Sequence, residues 1–359
     1  MKIINKFFHF KILYIFFVFL SLIIFFFSTV KSEGKAFEIN NIDISQPFEI
    51  NFDKNEVISE GFKKAFFELI SLITKSEDRK KINSIKLTEI KAMIETFSIK
   101  EEKFIEETYY VNLGVSFNRK KILNYLNKKN IFSSVPLKTK IIFIPIIIDE
   151  NKNELVVFSN NIIFNKWNDY TQSFHLIDYI LPTEDLEDLN LIKSKYENIE
   201  QFDFKEIISK YSLEDSIIAL IFKNNKDLRI LSKINIQKNV ILKNQTFLDI
   251  DINNNAQISE IIPKLKTIYE DYWKTTNEIN TSIKLPLTIK VDNNNNLKIQ
   301  KFEKILNETD LIYDFTIQKF NKDSIYYQII FNGTPDIFLE TMSDENYVFD
   351  TQNKIWHLK

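Results

Sequence analysis

The longest apolar stretch of the chain lies close to its N-terminus. Residues 12–27 are almost entirely apolar, with Lys2, Lys6 and Lys11 before them and the polar residues 31–35 after them. A basic start, an apolar centre and small residues at the exit are the parts of a secretory signal peptide. A helix that crosses a membrane needs about 20 apolar residues, only slightly more than this run has. The pattern therefore predicts either a cleaved signal peptide or an uncleaved N-terminal membrane anchor over residues 1–34.

Either form of this segment predicts export. Val30 and Ser32 suit the −3 and −1 positions of a cleavage site. Lysines that precede an apolar segment stay in the cytoplasm, so the rest of the chain is expected on the other side of the membrane. The chain has no cysteine, which excludes a lipidated N-terminus and any disulfide.

The patterns after the leader predict a small α+β domain over residues 35–132. Apolar residues recur at helical spacing from Ile58 to Ile73, and a second helical pattern covers residues 86–97. Residues 111–117 alternate with a period of two, which predicts a half-buried strand. Asn118 is placed to cap a following helix that carries Ile122, Leu123 and Leu126.

A central α/β domain is predicted over residues 136–280. Residues 141–148 are apolar throughout, as expected of a strand covered on both faces, and Pro145 indicates an edge position or a bulge. Further strands are expected at 176–181, 217–222, 229–237 and 240–252. Helices are expected at 161–170, from Pro182, at 204–211 and across 261–272, so that strands alternate with helices.

A third domain is predicted over residues 284–359 with the element order β-α-β-β-α-β. The strands are expected at 287–291, 311–320, 325–331 and near 355–358, and the helices at 297–306 and 335–342. Thr334 followed by Pro335 is a favourable helix start. The order predicts a ferredoxin-like domain. The predicted fold class is thus α/β and α+β, in three units behind the leader.

The composition excludes several functional classes. There are four glycines, no cysteine and three histidines in 359 residues, so glycine-rich phosphate loops and typical structural zinc sites are not expected. The 47 Lys and Arg residues nearly balance the 49 Asp and Glu residues, which argues against nucleic-acid binding. No cofactor is predicted.

One segment approaches a calcium-binding motif. Asp249, Asp251 and Asn253 with Glu260 at the twelfth place nearly fit an EF-hand loop, but Asn254 occupies the place of the glycine. A strand pattern precedes the segment where an EF-hand needs a helix. The favoured interpretation is a strand that ends in an Asn-rich turn and leads into a helix.

The densest acidic cluster comprises Glu184, Asp185, Glu187 and Asp188. Such a cluster could hold a divalent cation or supply an acid and a base. It also follows Pro182, and acidic residues are favourable at the start of a helix. The helix-start interpretation is favoured, and no metal or catalytic residue is predicted.

The histidines and tryptophans give weaker indications. His175 and His357 stand alone in the sequence, and no Gly-X-Ser-X-Gly motif accompanies them. Trp167, Trp273 and Trp356 could line a ligand groove, although aromatic residues at these spacings are more often part of a core.

Parts of the chain resemble the proteobacterial domain-of-unknown-function family 2066. The similar segments are Val111-Asn112-Leu113-Gly114-Val115-Ser116-Phe117 with the helix and strand after it, Leu181-Pro182-Thr183-Glu184-Asp185-Leu186-Glu187-Asp188-Leu189, Trp167, and Tyr272-Trp273. The resemblance covers residues 40–275 and implies an exported protein with no assigned activity. The central domain is also similar, by element order alone, to the N-terminal domain of TolB-type envelope proteins.

These observations predict a non-catalytic protein of the Gram-negative periplasm, either free or anchored to the inner membrane, that binds another envelope component. Two alternatives stay open. One is a hydrolase that uses the carboxylates of residues 184–188, with or without a metal. The other is a small-ligand carrier with a tryptophan-lined cleft.

Overall fold

The computed structural model of the protein describes residues 37–279 and 283–359, and the signal or anchor predicted over residues 1–34 lies outside them. The described chain is mixed α and β, with three β-sheets and ten α-helices. Ala36–Lys359 forms one compact unit. None of the described helices combines the length and the apolar character needed to cross a membrane.

The first sheet has three antiparallel strands in the order β1-β3-β2. Its strands are β1 (Glu38–Pro47), β2 (Ile94–Ile105) and β3 (Thr108–Phe117), and the helices around it are α1 (Lys54–Ile73), α2 (Ser76–Arg79), α3 (Leu87–Met93) and α4 (Arg119–Lys128). The apolar stripe of α1 is buried against the sheet, as its spacing predicts. Gly61 permits this close packing, because a Cβ there would lie 2.3 Å from Leu113 Cδ1.

Two strands of the first sheet are not identified by the sequence patterns. The helix predicted over residues 86–97 is wrong beyond Met93, where the chain enters β2. β2 is exposed along almost its whole length, and register shifts after Ile94 and Ile99 interrupt its alternation. β1 likewise has a register shift between Ile39 and Ile42.

The central sheet has six strands. They are β4 (Thr139–Asp149), β5 (Glu154–Val156), β6 (Ile177–Ile180), β7 (Ser216–Asn224), β8 (Asp227–Ile236) and β9 (Asn239–Phe247). The order is β5-β4-β7-β8-β9, and β6 also pairs with β4. β4 runs parallel to β6 and β7, whereas the other pairs are antiparallel.

Helices cover both faces of the central sheet. They are α5 (Ile162–Lys166), α6 (Leu186–Lys193), α7 (Lys205–Ser209) and α8 (Asn255–Thr276). Phe143 points into the core beneath α8, while Ile142 and Ile144 point into the core beneath α6 and α7. The prediction that residues 141–148 are covered on both faces is therefore confirmed.

Three predicted boundaries in this part are wrong. The helix expected from Pro182 begins only at Leu186, because Asp185 is its N-cap. The helix expected over 204–211 is shorter, and the strand expected over 240–252 ends at Phe247. In the Asn-rich turn that follows β9, the backbone N–H of Ile250 donates to the carbonyl of Lys226, between β7 and β8, at 2.6 Å.

Pro145 lies in the middle of β4, at a point where that strand has a local edge. β6 pairs with the first part of β4, up to Ile142, and β5 pairs with its last part, from Ile147. Pro145 stands in the gap between them, where its missing N–H is not required. Its carbonyl accepts a hydrogen bond of 3.0 Å from the buried side chain of Asn161.

The third sheet has the order β11-β12-β10-β14-β13. Its strands are β10 (Leu285–Asp292), β11 (Ile312–Phe320), β12 (Ser324–Phe331), β13 (Phe349–Asp350) and β14 (Trp356–Leu358), and its helices are α9 (Asn296–Glu308) and α10 (Pro335–Asp344). Thr334 caps α10 and Pro335 occupies its first turn, as predicted. The chain adds one strand to the predicted order, and the final strand β14 runs parallel to β10.

Polar side chains connect the three sheets. The Arg119 guanidinium, on α4, donates to the carbonyls of Thr309 and Ile312, which precede and begin β11. Asp271, on α8, accepts the backbone N–H of Ser76, the first residue of α2, at 2.8 Å, and it also accepts the Ser76 hydroxyl. Because Arg119 and Asp271 are charged and each forms more than one hydrogen bond, these contacts hold neighbouring layers in a defined arrangement.

Candidate interaction surface

The acidic cluster at residues 184–188 is the start of α6. Asp185 accepts the backbone N–H of Glu187 at 2.8 Å, and this bond holds the pKa of Asp185 below its usual value. Lys210 donates to Asp185 at 3.1 Å and to the buried Asp188 at 2.7 Å. Glu184 accepts the Ser159 hydroxyl. The helix-start interpretation is confirmed, since Asp185 caps the helix and both Asp185 and Asp188 bind Lys210.

The calcium-like segment is a turn between a strand and a helix. Asp251 accepts the backbone N–H of Asn253, and Asn254 is the N-cap of α8. β9 is the element that enters this turn, whereas an EF-hand requires a helix there. Across residues 37–279 and 283–359 no group of three acidic or histidine side chains is arranged to hold a metal ion.

The isolated histidines belong to different sheets. His175 accepts the backbone N–H of Gln172 through Nδ1 at 3.2 Å, just before β6. His357 lies on an exposed surface, with its Nε2 3.1 Å from Asp292. The structure does not bring the two side chains into one site.

The tryptophans are core residues and do not line a common groove. Trp167 is fully buried and stacks on Phe143 with ring centroids 3.8 Å apart. Trp273 is buried beneath α8, and the half-buried Trp356 packs against Phe338 in the third sheet. The core interpretation therefore accounts for all three.

A depression of about 350 Å³ lies at the carboxyl ends of the parallel strands β4 and β7. Glu150, Glu197 and Glu200 line it together with Tyr196 and Phe222. Open α/β sheets commonly bind ligands at this end of their strands. Its volume is at the lower end of the range for ligand pockets, and one of its carboxylates, that of Glu200, already binds Arg229 at 2.7 Å.

An exposed apolar group occupies one end of the first sheet. We call Phe48, Ile50, Phe104 and Ile105 the apolar tip; all four side chains are exposed. The rings of Phe48 and Phe104 meet edge to face at 5.3 Å, and Phe104 also contacts the buried Tyr109 at 4.9 Å. The aromatic part of the tip is thus anchored in the core, while its outer surface faces water.

A strained acidic turn forms part of the same end of the sheet. Glu106 and Glu107 connect β2 to β3 with φ values of 46° and 58°, a left-handed conformation that side chains with a Cβ adopt at a cost. The backbone N–H of Phe48 donates to the carbonyl of Glu107 at 2.7 Å, which joins the two parts of the tip. Strained backbone of this kind is common at functional sites.

The apolar tip has an acidic surround. Its sequence neighbours are the acidic residues Glu49, Asp53, Glu101, Glu102, Glu106 and Glu107 and the basic residues Lys54 and Lys103. Each lysine forms an ion pair within this group, Lys54 with Glu102 at 2.6 Å and Lys103 with Glu101 at 3.2 Å. The remaining carboxylates leave the surround with excess negative charge, which favours a basic partner.

A row of buried charged residues lies on α8, between the start of β6 and the end of α1. Lys266, Glu270 and Lys274 are 0%, 2% and 1% exposed. Glu270 accepts the backbone N–H groups of Leu176 and Ile177 at 3.0 Å, and Lys274 donates to the carbonyl of Ser71 at the end of α1. These contacts give the row a structural role, because Glu270 and Lys274 each hold the backbone of another element, while Lys266 lies 3.5 Å from the Thr171 hydroxyl.

Burial shifts the pKa values in this row. It lowers the pKa of Lys266 and of Lys274 to about 8, although Glu270 opposes the shift in both. Burial also raises the pKa of Glu270, against the two N–H groups that it accepts. Lys266 is further stabilised by lying 5.0 Å from the centre of the Tyr179 ring.

Sequence patterns did not identify the apolar tip. Its residues come from two distant segments, one after β1 and one at the end of β2. The two segments lie close together only because β1 and β2 are both neighbours of β3 in the sheet. A usable signal was present, since Phe104 and Ile105 directly precede two glutamates that form a turn. Large apolar residues beside a turn are exposed unless another element covers them.

The search for known relatives gave no family. No protein-family model matches this chain, and comparison with curated proteins yields no significant match.

Proposed function

We propose that the protein is an exported, non-catalytic module that binds another protein of the cell envelope through its apolar tip. The observation that supports this most directly is the exposure of Phe48, Ile50, Phe104 and Ile105 together at one end of a well-packed sheet. A cluster of large apolar side chains in water is unfavourable unless a partner covers it, and aromatic anchors dominate many protein interfaces.

The expected partner presents apolar side chains flanked by lysine or arginine. The acidic surround of the tip would attract such a surface and repel an anionic membrane surface. Binding should therefore weaken as salt rises, because exposed charge pairs are screened over about 10 Å at 0.1 M salt.

The test uses a photo-crosslinking amino acid at Ile50, which is fully exposed, with a matched position at Leu248, an exposed apolar residue after β9. In the native envelope, a protein crosslinked from position 50 and not from position 248 is expected. The purified partner should then bind the Ile50→Asp variant at least about tenfold more weakly, a loss of about 1.4 kcal/mol. Equal crosslinking from both positions, or unchanged affinity of the variant, would refute this function.

The proposed export rests on the leader. Residues 1–34 combine basic residues, an apolar run and small residues at its end, which together favour export, and the resemblance to a proteobacterial family favours the periplasm of a Gram-negative cell. Protease added to spheroplasts should degrade the chain, whereas a cytoplasmic control protein stays intact. The N-terminus of the recovered protein distinguishes a cleaved signal peptide from a retained inner-membrane anchor.

Kinship with the proteobacterial domain-of-unknown-function family 2066 is part of the same proposal. It is supported by the matching segments at residues 111–117 and 181–189. For the third sheet, the neighbours β11, β12 and β10 support a ferredoxin-like origin, with β14 as an addition between β10 and β13. The mixed central sheet is compatible with a domain similar to that of TolB-type proteins, by element order only.

A further inference from the structure

β2 has a long free edge. Among the described residues, β2 pairs only with β3, and its other edge carries no strand. Ile94 is half-buried and the eleven residues after it are exposed. Phe97, Ile99 and Phe104 are 49%, 39% and 58% exposed. A long edge strand with apolar side chains is a site where another strand can add.

The hydrogen-bonding pattern shows which groups face this edge. Phe48 donates to Glu107, so the odd-numbered residues of β3 bond to β1 and the even-numbered residues bond to β2. In β2 the partners of those even-numbered residues include Ser98 and Lys103. Phe97, Ile99, Glu102 and Phe104 instead lie opposite odd-numbered residues of β3, so their N–H and C=O groups point to the free edge.

A bulge at Lys100, between Ile99 and Glu101, divides β2 into two halves. The side chains of the two halves can face each other when two copies of β2 lie antiparallel. Before the bulge, Phe97 and Ile99 lie opposite Val115 and Leu113; after it, Glu102 and Phe104 lie opposite Val111 and Tyr109. All four side chains are thus on the face that carries α1, although their numbers change from odd to even across the bulge.

This geometry admits one antiparallel register between two copies. When Phe97 of one copy lies opposite Phe104 of the other, residues from the same face meet along both halves of the strand. Ile99 then meets Glu102, and Ser98 meets Lys103. In this register the N–H and C=O groups that point to the free edge in one copy lie opposite those of the other copy, so they can hydrogen-bond. The main-chain hydrogen bonds and the side-chain faces therefore favour the same register.

Charges favour the same register. Lysines and bulges on an edge strand usually discourage pairing. In this register, however, Lys100 of one copy lies opposite Glu101 of the other, and the twofold axis creates that pair twice. The apolar pairs lie on both sides of these central charges.

We propose that β2 joins two copies of this chain, with Phe97 opposite Phe104, to give a six-stranded antiparallel sheet. The interface shares Phe104 with the apolar tip, but Ile50 lies outside it and Ser98 lies far along β2 from the tip. The proposal rests on the free edge and the register of β2, and it does not require the partner proposed above.

The chain has no cysteine, so engineered cysteines report this register cleanly. Ser98 and Lys103 form a non-hydrogen-bonded pair, in which Cα atoms are about 4.5 Å apart, within reach of a disulfide. The variant Ser98→Cys/Lys103→Cys, expressed from the full-length sequence in intact cells, should form a disulfide-linked dimer of twice the chain mass on mild oxidation. Each single cysteine variant should remain mostly monomeric, because its sulfur lies opposite a residue without one.

Proline at Phe97 provides the second arm of the test. Phe97→Pro in the double-cysteine background removes an N–H that faces the free edge, and it should reduce dimer to the single-cysteine level. Phe97→Val loses the same ring but keeps the N–H and should still form dimer. Similar circular dichroism melts of the two variants would show that both are folded.

Three outcomes overturn the proposal: equal dimer from the single and double variants, no dimer from any variant, or a disulfide-independent adduct of β2 with a different protein. Ile50→Asp separates the two proposals, since it should weaken partner binding at the apolar tip and leave the yield of disulfide-linked dimer unchanged.

Discussion

At the scale of single residues, Glu270 has the most demanding environment. Its carboxylate accepts two backbone N–H groups and lies between two buried lysines. Glu270→Ala should lower the free energy of unfolding by about 3 to 5 kcal/mol, because it leaves buried charges and donors without their acceptor. Glu270→Gln should cost less, since an amide oxygen can still accept. Urea unfolding measures both changes.

Glu260 provides the control for this prediction, because it lies on an exposed face of the same helix and forms a long ion pair of 3.8 Å with Lys264. Glu260→Ala should change the free energy of unfolding by no more than about 0.5 kcal/mol. Similar losses at positions 260 and 270 would contradict the structural role of the buried row.

His175 makes stability depend on pH. Burial, with Lys266, Lys274 and Arg79 nearby, lowers the pKa of His175 from 6.5 to about 4. Between these values the unfolded chain binds more protons than the folded chain, so this contribution is complete above pH 6.5 and is lost as pH falls towards 4. His175→Gln should therefore lose less stability than the wild type between about pH 7 and pH 4.5.

Thermal melts at the two pH values measure this difference. Glutamine can still accept the N–H of Gln172, so the variant should remain folded at neutral pH. If His175→Gln shows the same loss of melting temperature as the wild type over this interval, the histidine is not responsible for the acid sensitivity.

At the scale of elements, Gly61 sets the distance between α1 and the first sheet. Gly61→Ala gains about 1 kcal/mol of helix propensity, but its Cβ would lie 2.3 Å from the buried Leu113. The expected result is a net loss of about 1 to 3 kcal/mol on overpacking. In the double variant with Leu113→Ala, the total loss in urea unfolding should be smaller than the sum of the single losses. Additive losses would show that the methyl group does not meet Leu113.

The acidic turn between β2 and β3 should show a conflict between stability and binding. Glu106→Asn/Glu107→Gly replaces two strained residues with those that this turn prefers and should stabilise the chain by about 1 to 2 kcal/mol. Because it also removes two carboxylates from the surround of the apolar tip, it should weaken binding of the partner. Chemical unfolding measures the gain in stability, and titration with the partner measures the loss of affinity. Asp53→Asn is not a suitable control for the lost charge, because Asp53 caps α1.

The elements that sequence patterns identify are those that are covered on a regular face. Apolar residues recur with a period of two along β3 and with helical spacing along α1. Their positions therefore indicate both the type of element and its buried side. β2 does not, because most of its side chains face water and its bulge changes the alternation midway. The apolar tip depends on β2 and was missed for the same reason.

Single residues were interpreted best where local chemistry decides their role. Asn118 and Thr334 cap helices, as the sequence predicts, and both roles depend only on neighbouring backbone groups. Pro145 needed the sheet itself, because the sequence indicates an unpaired N–H but not the gap between β5 and β6 that accommodates it. The buried row on α8 was hidden, since lysine and glutamate at helical spacing usually face water.

At the scale of the whole molecule, Arg119 links the first and third sheets. Its guanidinium donates to three carbonyls, those of Asn307, Thr309 and Ile312, and lies 3.6 Å from Asp310. Because the carbonyls lie at the end of α9 and the start of β11, this side chain couples the position of the third sheet to α4.

Arg119→Met should uncouple the third sheet from the rest of the unit. Removing the guanidinium takes a charged donor away from partly buried carbonyls, at a cost of about 1 to 3 kcal/mol, so backbone amides of β11 and β12 should exchange with solvent about five- to a hundredfold faster. Arg119→Lys should behave similarly, because one ammonium cannot span all three carbonyls. Lys128→Met, on an exposed position of the same helix, is the control. Faster exchange confined to residues 285–359 would show that this side chain holds the third sheet in place. Equally faster exchange in all three sheets would contradict the prediction, because Arg119 would then stabilise the fold as a whole.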